Sequence, residues 1–291
     1  MHKGGMKNQH FLQLKEGFIE WLERLNYAPP TIRSRQRHLC YFLDWIAERG
    51  IRRIEDIDRN DIRAYSCHLH RRPIKAKTIG AYQSVLKLLN EYLESYGSAP
   101  VAKVRLRVER EIKTERTILT KGEVKRLYDA CENTLWGMRD RIILALFYGC
   151  GLRCREGSAV QSADVDFVDG VLHVRKGKNY RERYVPMSDG VSREIQNWMA
   201  YGLPFFCPKT NLLLPNTRGK VDSSGRLNKR LKILCKAADI DKHITLHCLR
   251  HSIATHLLQN GMELENIARF LGHKGLEATK IYTRIVNETD G

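Results

Sequence analysis

Between Leu246 and Arg284 the chain reads LHCLRHSIATHLLQNGMELENIARFLGHKGLEATKIYTR. Four residues in this run could do chemistry: His247, Arg250, His273 and Tyr282. An arginine grips two phosphate oxygens at once, a histidine gives or takes a proton near neutral pH, and a tyrosine can form a covalent ester. Together they suit phosphate chemistry. Singly, each has a plainer reading. A tyrosine in an apolar helix is ordinarily core, and a histidine three before an arginine commonly makes surface hydrogen bonds. His247 and His251 have the spacing of two metal ligands, but the zinc-protease pattern needs Glu directly after the first His. Cys248 stands there, so no metal site is expected.

Helices must position this set. His247 and Arg250, three apart, share a helix face. Leu249, Ile253, Leu257 and Leu258 recur at helical spacing and would anchor that helix in a core, and Gly261 ends it. A second short helix, 263–271, stops at Gly272 and leaves His273 at the cap; a third segment holds Tyr282 beside Ile281 and Ile285. Upstream, Thr120 and Glu123 form a capping box opening a helix to about Cys131. Residues 136–149 form a strongly apolar helix, followed by GLRCREGSAV. Gly151 permits a tight turn there, and Arg153 and Glu156, three apart, would ordinarily be a structural ion pair. Residues 164–187 read as strands: 165–167, 171–174 and 183–186. The last two flank RKGKNYRE, a hairpin turn whose Lys176, Lys178 and Arg181 are solvated charges on the plain reading. Ser188 and Asp189 cap a helix to about Tyr201, and 212–215 is a further short strand. Residues 223–238 form a basic amphipathic helix, with Arg226, Lys229, Arg230 and Lys232 opposite Leu227, Leu231, Ile233 and Leu234. Such a face suits a membrane surface or a DNA groove; beside phosphate chemistry, DNA fits better.

The first hundred residues look different. After a loose tail, 1–7, helical stripes run over 8–25, 31–49, 59–70 and 77–96, with Pro29-Pro30 breaking the chain before the second. These make a small all-α bundle without a strand signal. Its basic residues group on the second helix and around the third break: Arg33, Arg35, Arg37, Arg71, Arg72, Lys75 and Lys77. Grouped cations of this kind attract a nucleic-acid backbone regardless of sequence. Residues 97–117 carry a proline, alternate charge with aliphatics and lack a helical stripe, which predicts an extended basic linker. The predicted fold is mainly α with a small antiparallel sheet: a four-helix bundle over 8–97, a linker over 98–117 and an α+β domain over 118–291.

Composition bounds the function. Fifty basic against 33 acidic residues leave a net charge of +17, which points to a polyanionic partner and first to nucleic acid. The eight cysteines include no C-x-x-C pair and read as reduced thiols; Cys150 and Cys154, one helical turn apart, would pack together. The longest apolar run, 142–148, is too short to span a bilayer, and no apolar signal core follows the polar start. A cytoplasmic protein without membrane partners is expected.

The order and spacing of LHCLRH, then LGHKGLEATKIYTR, resemble the C-terminal signature of the tyrosine recombinase (phage integrase) family, close to its Xer-like branch. That pattern is H-x-x-R-H, then L-G-H, then Tyr nine positions after the last His. GLR followed by Glu156 matches the family's first catalytic arginine and its acidic neighbour, although Gly157 stands where relatives carry Leu. GKNYRERYVP resembles the family's G-K-x-x-K-E-R-x-V-P hairpin. The resemblance implies a catalytic domain of the tyrosine recombinase type with Arg153, Lys178, His247, Arg250, His273 and Tyr282 as its catalytic set, Tyr282 as nucleophile and Glu156 in support; Lys176 is the competitor for Lys178. It implies a core-DNA-binding first domain, a 3′-phosphotyrosyl intermediate and a homotetramer assembled on double-stranded target sites, with accessory DNA-bending proteins as further partners. No cofactor and no metal are implied. A type IB topoisomerase or a non-catalytic DNA-binding regulator is the alternative, and plasmid relaxation with and without a target site separates them. Only nine residues follow Tyr282, which predicts a weak interface between protomers and a free monomer in solution.

Overall fold

The structure, a computed structural model, describes residues 8–101, 117–175, 182–273, 275 and 279. The chain divides into two compact units, Met1–Thr114 and Glu115–Gly291.

In the first unit, α1 (Gln9–Arg24) starts at Asn8, whose side chain accepts from the N–H groups of His10 and Phe11. Pro29 and Pro30 do not precede α2 (Pro29–Glu48) but form its first turn. A proline there sacrifices no hydrogen bond and brings a helical φ with it. A 3-10 turn (Ile54–Asp56) leads to α3 (Arg59–His70), which Asp58 and Asp61 close with a capping box. The last described helix of the unit is α4 (Ala76–Ser95). The core is Phe11, Phe18, Leu22, Leu39, Phe42, Ile46, Tyr65, Leu69 and Leu89, with neighbours at the same helical spacing. The Tyr92 ring meets Phe18 edge-on at 5.8 Å, and only a glycine at 17 admits it: a Cβ there would lie 2.3 Å from the Tyr92 hydroxyl. Of the predicted linker, residues 102–116 lie outside the described residues.

In the second unit, α5 (Lys121–Asp129) opens on the Thr120–Glu123 capping box. α6 (Leu135–Leu144) runs on into a π turn, Ala145–Gly149. Gly151, at φ +58°, then ends the helical path, so Cys150 and Cys154 do not share a helix; Cys154 starts α7 (Cys154–Gly157). β1 (Val165–Asp166), β2 (Val171–Val174) and β3 (Arg183–Pro186) form an antiparallel sheet in that order, with Leu172 opposite Val185 and Val174 opposite Arg183. Alternation sends Leu172, Val174 and Val185 inward and leaves His173 stacked on Tyr184 outside. α8 (Asp189–Asn197), capped by Ser188, continues through a π turn (Trp198–Gly202) into α9 (Leu203–Phe206). The strand expected at 212–215 is instead two isolated bridges, Gln161–Leu212 and Pro215–Val221, because the chain turns between them too tightly for a ladder.

α10 (Ser224–Ala237), α11 (Leu246–Gln259) and α12 (Leu264–Leu271) complete the described elements. The main core gathers Leu144, Phe147, Leu172, Val185, Ile195, Trp198, Leu213, Leu227 and Leu249. Leu257 and Leu258 pack instead on a smaller cluster of Ala254, Ile267 and Leu271. Ile233 departs from the expected apolar face of α10 and is half exposed. No helix among the described residues is long and apolar enough to cross a membrane.

Candidate active site

The site is built where three distant segments meet: the turn into α7, the inward face of α11 and the end of α12. Positive φ at Gly151 bends the chain, and a Cβ there would strike Phe270 at 2.9 Å and Leu271 at 3.0 Å. The absence of a side chain lets the end of α12 settle on this turn. Arg153 follows as the N-cap of α7, and Glu156 accepts from its backbone N–H at 2.8 Å. Glu156 also accepts from Arg153 Nη1 at 2.8 Å. The remaining guanidinium donors of Arg153 reach the carbonyls of Leu271 (3.3 Å) and Gly272 (3.1 Å). Gly157, the departure from the family pattern, has a packing explanation. A Cβ at that position would lie 2.6 Å from the Phe147 ring, so the aromatic ring occupies the space of the missing leucine.

Arg250 comes from α11 and is 3 % exposed. It donates to Gly151 O and Leu271 O, both at 2.6 Å, and thereby ties α11 to the same two segments. His247, one turn earlier, is exposed, and its ring stacks on His251. Gly272 ends α12 in the left-handed conformation, and the N–H of His273 returns to Ala268 O at 2.9 Å. That closure is a glycine C-cap, and it fixes where His273 begins. His273 Nδ1 lies 2.8 Å from Thr279 Oγ1. Burial, and then the charges of Arg250, Arg153 and Arg183, push the His273 pKa down to about 4, so the ring is neutral at physiological pH.

Arg183, a strand residue and the Arg of the G-K-x-x-K-E-R-x-V-P pattern, has no role assigned by sequence. It donates to both oxygens of Glu156 (3.3 and 3.0 Å) and to Phe270 O (2.8 Å), with its side chain 8 % exposed. Period-2 alternation puts it on the face of Val185, and a cation at an inward strand position needs an anion; that signal was available. Glu156 itself, expected in a supporting role, has arginines as its partners: Arg153, Arg183 and, at 3.8 Å, Arg250. Burial works to raise its pKa, but the hydrogen bonds and charge of Arg183 and Arg153 prevail and hold it below the usual carboxylate range. Lys176, Lys178, Arg181 and Tyr282 lie outside the described residues. Among the described residues, no group of three or more His, Cys, Asp or Glu is arranged to hold a metal.

The residues expected to meet DNA are placed as follows. Arg33, Arg37, Arg71, Lys75 and Lys77 are exposed. Arg35 donates to Ser84 Oγ on α4, and the Arg72 guanidinium covers the Tyr41 ring at 4.6 Å. On α10, Lys229 is exposed, Arg226 pairs with Asp222, and Arg230 grips buried Asp140 through two nitrogens. Arg139, buried, pairs with the other side of Asp222 at 2.8 Å. These three arginines and Lys229 line a groove of 730 Å³ together with Trp136 and Phe206.

A helical bundle followed by an α+β unit that gathers arginines and a neutral histidine around one buried carboxylate has the makings of a phosphodiester-handling enzyme. The chain belongs to the phage integrase family, whose profile matches residues 117–288, with the family's N-terminal SAM-like domain matching 16–99, and it is thereby a tyrosine recombinase, a DNA strand-exchanging enzyme. It is 31% identical to tyrosine recombinase XerD of Staphylococcus aureus over 280 residues, 94% of this chain and 91% of the relative. Its fold is that of XerH solved in a post-cleavage complex with palindromic difH DNA (TM-score 0.75, 19% identity, covering 98% of this chain and 88% of that one). It is also that of lambda integrase solved as a tetramer on a Holliday junction (TM-score 0.70, 16% identity, 95% and 78%).

Proposed function

We propose that this chain cuts and rejoins DNA at two target sites through a 3′-phosphotyrosyl bond formed by Tyr282. Attack on a phosphodiester increases the charge on its non-bridging oxygens. Arg153 and Arg250 stabilise that charge, and preorganised donors do so without reorganisation cost. His273, neutral and half-buried, donates one N–H to the same oxygens. His247, exposed one turn before Arg250, serves as acid or base beside the Tyr282 phenol, whose unperturbed pKa of about 10 needs a cationic site to help it ionise. Lys178 protonates the departing 5′-oxygen. The phosphotyrosyl ester keeps the energy of the cut strand, so rejoining by the free 5′-hydroxyl needs no ATP or other cofactor.

Residues 8–97 act as the core-binding domain, 98–117 as linker and 118–291 as catalytic domain. DNA is held by Arg33, Arg35, Arg37, Arg71, Arg72, Lys75 and Lys77 in the first domain and by Arg226, Lys229 and Arg230 in the second. Strand exchange proceeds in a homotetramer assembled on DNA, with room for accessory DNA-bending proteins; the lambda integrase tetramer on a Holliday junction supports this reading for a chain of the same fold.

One observation carries the proposal: Arg153, Arg250 and His273, more than a hundred residues apart in sequence at the extremes, are drawn together by the carbonyls of Leu271 and Gly272. A suicide substrate nicked beside the cleavage point tests it. The wild type should become trapped on DNA, and Tyr282→Phe should bind that DNA without any covalent adduct. Undiminished trapping by the Phe variant removes Tyr282 from the chemistry.

A further inference from the structure

An ionised carboxylate offers about four lone-pair positions to donors. Glu156 uses all four: Arg153 supplies its backbone N–H and Nη1, and Arg183 supplies Nη1 and Nη2. Arg250 stands just beyond this set, 3.8 Å from Glu156 Oε2, and spends its short hydrogen bonds on Gly151 O and Leu271 O. Three guanidiniums therefore face one carboxylate; two are hydrogen-bonded to it, and the third pairs with it only at 3.8 Å. The third cation stands outside a carboxylate whose acceptor positions are full.

We infer that Arg183 is a positioning residue of the recombinase site: by filling half of the Glu156 carboxylate, it keeps Arg250 from collapsing onto that carboxylate and so keeps Arg250 aimed at the scissile phosphate. Three further features fit this role. Arg183 also donates to Phe270 O at 2.8 Å, so the same side chain fixes the end of α12 that presents His273. Gly272 is moulded to it, since a Cβ there would lie 2.8 Å from Arg183 Nη1. And Arg183 opens β3, the strand that follows the segment carrying Lys178 in sequence. Charge also balances: three arginines and one glutamate leave +2, which matches the doubly charged transition state of a phosphodiester, while losing Arg183 leaves +1.

Arg183→Met removes the two donors to Glu156 and the one to Phe270 O, and keeps the apolar stem. Glu156 is buried and cannot stay half satisfied, so Arg250 moves to it. On the nicked suicide substrate, single-turnover cleavage should fall about 10²-fold, the cost of a displacement on the order of 1 Å at a reacting centre. DNA affinity should hold, since the Arg183 side chain is only 8 % exposed. The decisive measurement is the double variant Arg183→Met/Glu156→Gln. With the carboxylate charge gone, Arg250 is released, and cleavage should rise about tenfold above that of Arg183→Met alone. A merely structural Arg183 gives the opposite order, with the double variant slower than either single one, and that result overturns the inference. If Arg183→Met is unfolded by its thermal transition, Arg183→Lys takes its place in the same cycle; a Lys cannot fill both acceptor positions, so the same rise is expected and its absence is equally fatal. The inference rests on Arg153 and Arg250 acting on the phosphate. Arg250→Ala run alongside keeps the two ideas apart: normal cleavage by that variant sinks the assignment of Arg250, whatever Arg183 does.

Discussion

The two units of this protein treat their arginines in opposite ways. In the second, the side chains of Arg139 and Arg183 are buried and held by Asp222 and Glu156, each pair under a tenth exposed, and buried Arg250 is held by the carbonyls of Gly151 and Leu271. In the first, the ion pairs Arg24–Glu20 and Arg53–Glu55 are solvent-exposed, and Arg33, Arg37 and Arg71 stand on the surface. Five of the six buried side-chain polar atoms lacking a protein partner among the described residues also fall in the first unit, four of them on His38, Tyr65, Arg72 and Gln83 between α2, α3 and α4. Buried ion pairs give geometry at a cost in desolvation, whereas exposed ones give little of either. A phosphoryl-transfer site needs donors fixed before the reaction starts. A grip on the DNA backbone needs positive charge and tolerates movement. The contrast teaches that the same residue type serves both tasks, and that its surroundings decide which.

The largest effect that would sharpen this contrast is on chemistry. Arg250→Ala should slow formation of the covalent complex by about 10²- to 10³-fold, as for loss of one preorganised donor to a developing anion. DNA affinity, spread over many phosphate contacts, should change far less. Parallel losses in rate and affinity, read from single-turnover trapping and from equilibrium binding, would break the distinction.

Next comes stability. Arg230→Ala leaves Asp140, 2 % exposed, without its bidentate partner and should cost about 3 kcal/mol in urea unfolding. Its exposed neighbour Lys229→Ala should stay within about 0.5 kcal/mol of the wild type while weakening DNA binding. If the two variants unfold alike, the α10 arginines are not structural.

A smaller, pH-dependent term belongs to His273. Its folded pKa of about 4 lies below the ordinary 6.5, so between these values the unfolded chain binds the proton and the folded one does not. Stability should be unaffected above about pH 6.5 and should decline as pH falls from there towards 4. His273→Gln should remove this component. An NMR titration of His273 near 6.5 in the free protein contradicts the preorganised, neutral ring.

The smallest effects are expected in the first unit. Arg33→Ala and Arg37→Ala should each weaken binding about equally for any DNA sequence and lower the slope of log affinity against log salt by about 1. A variant that changes sequence preference and not the salt slope would give the bundle a reading role in place of a gripping one.

Most of the elements were legible from local rules. Thr120 and Ser188 cap α5 and α8 where the sequence places them, Gly272 ends α12 as its position demands, and the helical stretches of the first hundred residues correspond to α1 to α4. Local rules misjudged Pro29-Pro30, which reads as a break but is compatible with a first turn, and 212–215, whose aliphatic run pairs only in single bridges. The positions of Arg153, His247, Arg250 and His273 came from motif order, which a linear pattern carries.

What linear order could not carry was the partner of each charge. That Glu156 serves two arginines directly and restrains a third, that Phe147 fills the gap over Gly157, and that Arg139 and Arg226 share Asp222 all depend on side chains from remote segments meeting in a desolvated space. Sequence determined which helices and strands form, because caps, turns and periodic burial act within a few residues. Tertiary structure decided which arginines are held rigid and which are left to solvent, because the desolvation of a charge is set by everything packed around it and not by its neighbours in the chain.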